Sequence, residues 1–133
     1  MFLSPLLKNP ELLHRLVDSR TGQVVAATVV AAFDSASRRK GLLGLTSMPP
    51  GSAIIIAPTS AIHTWFMRFE IDVAFVDRDG RVVKTRHSLR PWRVFGALRA
   101  FAAIELPAGT LASSGVKPGD TLLMESEAQP SPR

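Results

Sequence analysis

Apolar and polar residues alternate most regularly between Phe69 and Phe75, where Phe69, Ile71, Val73 and Phe75 take the odd positions and Glu70, Asp72 and Ala74 the even ones. A period of two places the odd set on one face of a strand, toward a core. Asp77-Arg78-Asp79-Gly80 follows, and a three-residue loop with Gly80 left-handed turns the chain into a second strand that runs to Arg86. This register opposes Phe75 to Val83 and Val73 to Thr85, and it sets Asp77 beside Arg81 and Asp72 beside Arg86. A two-residue Asp79-Gly80 loop, which would oppose Phe75 to Lys84, is disfavoured because it mixes apolar with charged pairs.

Other apolar runs fit the same scheme. Leu12 to Asp18 and Gln23 to Phe33 read as strands around the Ser19-Arg20-Thr21-Gly22 turn. Asp34 is placed to cap a short helix from Ser35 to Leu43, which Gly41 weakens by about 1 kcal/mol relative to alanine. After Pro49-Pro50-Gly51, Ala53 to Ala57 reads as a strand buried on both faces. Ser88 to Arg93 reads as a loop and Ala102 to Leu106 as a strand. Pro107-Ala108-Gly109 leads into a second short helix, capped by Thr110 and stopped at Gly115. Lys117 to Asp120 is a turn, Thr121 to Met124 a last strand, and Ala128 to Arg133 reads as a disordered tail. Roughly six to eight short strands with two short helices predict a mainly β, α+β fold: a compact, barrel-like mixed sheet with helices plugging its ends. Alternating βαβ units are absent, against a doubly wound nucleotide fold.

The chain has 133 residues, 46% of them hydrophobic and 20% charged, enough for one domain with a real core, about 12–125, followed by the tail. It has no cysteine, which excludes disulfides, a thiol nucleophile, thiolate zinc sites and iron-sulfur clusters. The opening Met-Phe-Leu-Ser-Pro-Leu-Leu-Lys lacks the order of a signal peptide, and the longest apolar run, Val24 to Phe33, is about half of the roughly 20 residues a spanning helix needs. A soluble, cytoplasmic protein is the expectation. Twelve arginines outnumber four lysines in a net charge of +5, which favours planar anion recognition. Residues 61–99 alone carry +4 and both tryptophans, Trp65 and Trp92.

Six motifs occur in order: Arg39-Lys40-Gly41-Leu42-Leu43-Gly44, Ile62-His63-Thr64, Met67-Arg68-Phe69 running into Ile71-Asp72-Val73-Ala74-Phe75-Val76-Asp77, Arg90-Pro91-Trp92-Arg93, Ile104-Glu105-Leu106-Pro107-Ala108-Gly109, and Gly119-Asp120. Together they resemble the domain of unknown function 192 family of small prokaryotic proteins, over about Leu12 to Met124. The resemblance implies a compact β-rich barrel with short helices and brings no established activity. The chain departs from that pattern at Leu45, where the family often has Arg, and at Glu70, where it often has Pro. Thr59 stands where relatives commonly carry a cysteine, four residues before the histidine. With such a cysteine, His63 and Met67 would form the soft set that suits copper. One imidazole and one thioether are too few, so no metal and no cofactor is expected.

The remaining chemistry rests on a few side chains. Asp72 and His63 are the candidate general bases of a hydrolase or transferase, with Arg90 or Arg93 holding an anion. Against this, Asp72 could pair with Arg86 or Arg68 or accept loop N–H groups, His63 could bond a loop carbonyl, and Met67 could fill a core gap. Arg90, Trp92 and Arg93 suit an anion or a planar group, through guanidinium forks and an indole face. Arg38, Arg39 and Lys40 read as a solvated helix face from which one arginine could reach Glu105. The leading expectation is a non-catalytic domain that binds a small anionic or sugar-like ligand, or a partner's acidic segment, at a mouth formed by His63, Thr64, Met67, Arg68, Asp72, Arg90, Trp92, Arg93 and Glu105. The enzyme is the alternative, and weak binding of single-stranded nucleic acid, an unlikely partner by motif, is third.

Overall fold

The computed structural model describes residues 1–32 and 46–127. Ten strands and two short helices occupy them: α1 (Ser4–Lys8), β1 (Leu13–Asp18), β2 (Val24–Ala26), β3 (Thr28–Ala32), β4 (Ser52–Ile56), β5 (Ala61–His63), β6 (Ile71–Val76), β7 (Val82–Leu89), β8 (Val94–Gly96), β9 (Ala102–Pro107), α2 (Thr110–Ser114) and β10 (Leu122–Glu127). The fold is mainly β with α+β character, as the alternating pattern predicts. The expected helix at 35–43 and the tail lie outside the described residues. Helix α1 was not anticipated, although Pro5 in its first turn is the residue that favours a helix start.

The strands form three sheets. Five of them, in the order β3-β4-β9-β6-β7, make a mixed central sheet in which only β3 and β4 run parallel; β10-β1-β2 make a second sheet, and β5 and β8 a two-stranded ribbon. The barrel-like reading needs correction here, because among the described residues no continuous ladder closes the sheets. The expected strand 23–33 breaks at Ala27, whose N–H turns away to the Gly51 carbonyl, so β2 and β3 enter different sheets. On the other side the starts of β7 and β10 meet at one bridge, Arg81 with Thr121, flanked by hydrogen bonds from Val82 N–H to the Asp120 carbonyl, Leu122 N–H to the Gly80 carbonyl and Gly119 N–H to the Val82 carbonyl, each 2.8 Å. Gly80 lies at this seam with φ 86°, and a Cβ there would collide with the Leu122 carbonyl and approach the Phe2 ring to 2.9 Å. Only glycine fits both the turn and the contact.

At its inner strands β6 and β9 the central sheet is covered on both faces, which is why β6 is solvent-free at every position, whereas the edge strands β3 and β7 are partly exposed. One face packs Ala74, Val76, Ile104 and Leu106 against Leu16, Leu122, Leu111, the α1 residue Leu6 and Leu3 just before it. The other packs Ile71, Val73, Phe75 and Ala103 against Met48, Met67 and the ribbon residue Ile62, with Phe95 alongside. Among the described residues no helix is long and apolar enough to cross a membrane.

The β6–β7 hairpin has the expected three-residue loop, with Asp77 Oδ1 accepting from the N–H groups of Asp79 and Arg81 at 2.9 and 3.0 Å. Its register nevertheless places Phe75 opposite Lys84 and Val73 opposite Arg86. Val83 is an extra residue between the Val76–Val82 and Phe75–Lys84 pairs, and this bulge slips the strand by one. The alternative rejected on pairing grounds is thus the one realised beyond the bulge.

Candidate functional site

Asp72 lies on the face of β6 that looks toward α2, and none of it is exposed. Its Oδ1 accepts the Ser88 N–H at 2.9 Å, and its Oδ2 accepts the N–H groups of Gly109 and Leu111 at 3.1 and 2.8 Å. Ser88 has φ 49° and sits in a second bulge, between the Val73–Arg86 and Ile71–Leu89 pairs. The carboxylate therefore supports that bulge and satisfies the first turn of α2, the task expected of Thr110; the helix's own N-cap, Gly109, makes no side-chain cap. Of the roles open to Asp72, the geometry gives the acceptor of loop N–H groups and not the pair with Arg86, which lies opposite Val73.

Glu105 is adjacent in register but opposite in face: Asp72 pairs with Leu106, and Glu105 pairs with Val73 on one side and Ile54 on the other. The row continues to Val30 and Arg86, one strand further on each side. Glu105 is 5% exposed, and among the described residues no hydrogen bond reaches its carboxyl. Burial pushes this carboxyl up to about 7. The expected approach of an arginine from 38–40 lies outside the described residues.

Two further buried carboxylates lie close together: Asp120, from the Gly119-Asp120 motif, and Asp18, which the sequence did not single out. Arg20 donates from Nε to Asp120 Oδ1 at 2.8 Å, and Lys117 N–H reaches Oδ2 at 3.1 Å. The Arg20 hydrogen bond holds Asp120 down to about 2. Asp18, whose Oδ2 has no hydrogen-bond partner among the described residues, is raised by burial and by the neighbouring Asp120 carboxyl. The pair clasps the β1–β2 turn to the turn before β10.

The remaining candidates gather on the ribbon and its two flanking loops. Thr64 is the hub and is fully buried. Its N–H donates to the Arg93 carbonyl at 2.8 Å, and its carbonyl accepts from Trp92 N–H at 3.0 Å and Met67 N–H at 3.2 Å. Its hydroxyl donates to the Arg90 carbonyl at 2.6 Å and accepts the Arg93 N–H at 2.9 Å. One threonine thus locks loop 64–70 to loop 90–93. Outside this lock the rings stand in water: Phe66 is 67% exposed, Trp92 57% and Trp65 46%. Phe66 and Trp92 meet edge to face at 4.7 Å, and Trp65 lies 4.7 Å from the His63 ring. Phe66 and Trp92 both hold left-handed backbone, at φ 67° and 64°, a conformation that costs a non-glycine residue on the order of 1 kcal/mol or more.

Charge surrounds these rings. Arg68, Arg90 and Arg93 are exposed, and Arg90 makes a loose 3.7 Å pair with Glu70. Lys84 Nζ and the Arg86 guanidinium lie 4.4 and 5.9 Å from the Phe95 ring, beside β8. His63, Arg90, Trp92 and Arg93 therefore stand on the outer side of the Thr64 lock, forming a ledge, with Thr64 buried behind it and Arg68 exposed on the adjoining loop. Met67 is buried beneath it in the core, and Asp72 and Glu105 lie inside the molecule on opposite faces of the sheet. Trp65 and Phe66 complete the ledge; the signal available for them was two large aromatics side by side in a segment that leads into an alternating strand. Among the described residues no three His, Asp or Glu side chains converge as a metal site would require.

The model of one protein family, "Uncharacterized ACR", matches residues 16–124. The chain belongs to the domain of unknown function 192 family. No curated protein matches it significantly. Among solved structures it is similar to a protein of unknown function from Novosphingobium aromaticivorans DSM 12444, with 24% identity and a TM-score of 0.71, covering 83% of this chain and 82% of that one. It is also similar to a putative transcription regulator from Sinorhizobium meliloti 1021, with 24% identity and a TM-score of 0.74, covering 86% and 92%. At this identity the likeness is one of fold. In this member of the domain of unknown function 192 family the motif residues divide by role. Thr64, Asp72 and Asp120 bind backbone or ion partners inside, whereas His63, Arg90, Trp92 and Arg93 face solvent.

Proposed function

We propose that the protein is a non-catalytic recognition domain that holds an anionic ligand on the ledge formed by the β5–β8 ribbon and loops 64–70 and 90–93. The observation that carries this reading is the Phe66–Trp92 pair: two large rings, more than half exposed, kept at positive φ by the Thr64 lock. A fold that served only its own stability would bury those rings or relax that backbone. The exposed guanidiniums around them supply the charge complement. The catalytic alternative has less support, because both oxygens of Asp72 are already engaged by backbone N–H groups and the residue is sealed from solvent.

Trp65 and Trp92 are the protein's two tryptophans, so intrinsic emission reports this ledge directly. Titration with polyglutamate, polygalacturonate, glucose 6-phosphate and short oligonucleotides should shift that emission and raise Tm for at least one probe, with neutral maltose as control. Trp92→Ala should lose the rise while remaining folded. A ledge silent to every anionic probe refutes the reading.

A further inference from the structure

Resting on that reading, we infer that the anion is a single-stranded nucleic acid, its bases stacked on the rings of Trp65 and Trp92 and its phosphates paired with the surrounding cations. The stretches that build the ledge and its borders, 61–70 and 84–99, contain six Lys and Arg (Arg68, Lys84, Arg86, Arg90, Arg93 and Arg99) against one carboxylate, Glu70. Among the described residues, most of these cations have only weak or neutral partners. Arg90 and Glu70 are 3.7 Å apart with side chains 72% and 46% exposed. Arg93 Nη1 reaches the Pro91 and Trp92 carbonyls at 3.4 Å, and Lys84 Nζ donates to the Gly96 carbonyl at 2.8 Å. Their charge remains available to a polyanion.

The rings decide which polyanion. An acidic peptide would use the guanidiniums and leave the exposed aromatic surface of His63, Trp65, Phe66 and Trp92 without a flat partner. A single strand offers both halves at a regular spacing: a phosphate for each cation and an unpaired base face for each ring. Duplexes hide those base faces, so the same ledge disfavours them. The cavity of about 610 Å³ beside the ledge, lined by Ser60, Lys84, Gly96, Leu98 and Arg99 among others, extends the basic track past the end of the ribbon.

The test is fluorescence titration of the full chain with oligothymidylate and oligouridylate, against polyglutamate, polygalacturonate and a DNA duplex. Single strands should quench tryptophan emission, with affinity falling about twenty-fold between about 50 and 200 mM salt if some three phosphates are neutralised. The two oligonucleotides distinguish DNA from RNA as the source. Trp65→Ala and Trp92→Ala should each weaken binding about ten-fold at unchanged salt slope. Trp92→Gly, which accepts φ 64° without strain, should lose the same affinity while melting no lower than wild type, separating ring loss from unfolding. Polyglutamate or polygalacturonate binding as tightly as the single strands, or a duplex doing so, overturns this inference and leaves the recognition domain standing. Silence from all probes overturns both.

Discussion

Two carboxylates one register position apart, Asp72 and Glu105, meet opposite fates on the two faces of the central sheet. Asp72 accepts three backbone N–H groups that a bulge and a helix start would otherwise leave unpaired. Glu105 lies between Ile54 and Val73, with no hydrogen bond to its carboxyl among the described residues, and burial pushes it up to about 7. Equal burial therefore does not mean equal role. A carboxylate supplied with donors becomes a strut, whereas one without them becomes a cost that depends on protonation.

The comparison breaks most visibly at Asp72. Asp72→Ala strands three N–H groups, and at roughly 1–3 kcal/mol for each unsatisfied donor it should cost at least about 3 kcal/mol in urea unfolding. Asp72→Asn, which keeps an acceptor oxygen, should cost less. An unchanged midpoint in the alanine variant would remove the strut. The opposite response is expected at Glu105. Its folded value of about 7 lies above the 4.5 of the free side chain, so stability is fully present below pH 4.5 and declines as pH rises through 7. Above that the penalty reaches about 3 kcal/mol. Glu105→Gln should flatten this decline, with a stability gain at pH 8 that is absent at pH 4; equal effects at both values would contradict a carboxyl raised by burial.

Thr64→Val tests the lock at intermediate size. Removing the hydroxyl leaves the Arg90 carbonyl and the Arg93 N–H without it, for about 2 kcal/mol in thermal or urea unfolding, together with faster hydrogen exchange at Trp92 and Arg93. The smallest effect belongs to Glu70→Gln, which removes a loose exposed partner of Arg90 and should change stability by less than about 0.5 kcal/mol.

Several elements of this fold were legible along the chain. The alternation of β6, the Asp77–Gly80 turn and the Gly115 helix stop are local properties of a few consecutive residues, and they appear where the pattern puts them. The break at Ala27, the bulge at Val83 and the unclosed seam at Arg81–Thr121 are not local. Each depends on what a distant strand offers, and alternation reads the same on either side of a bulge. The candidate site divides in the same way. Arginine and tryptophan gave the segment its basic, aromatic character, and the structure ties the Arg90 and Arg93 backbone to Thr64, next to His63.

Residue chemistry and spacing thus determined the class of fold, the hairpin loop and the basic, aromatic character of residues 61–99. Tertiary structure alone decided that Asp72 is a strut, that Glu105 is buried on the opposite face with no donor among the described residues, and that Trp65 and Phe66 stand exposed. The physical reason is that a side chain's type sets what it can bind, whereas solvent and partners are assigned by strands tens of residues away, through a register that one extra residue can shift.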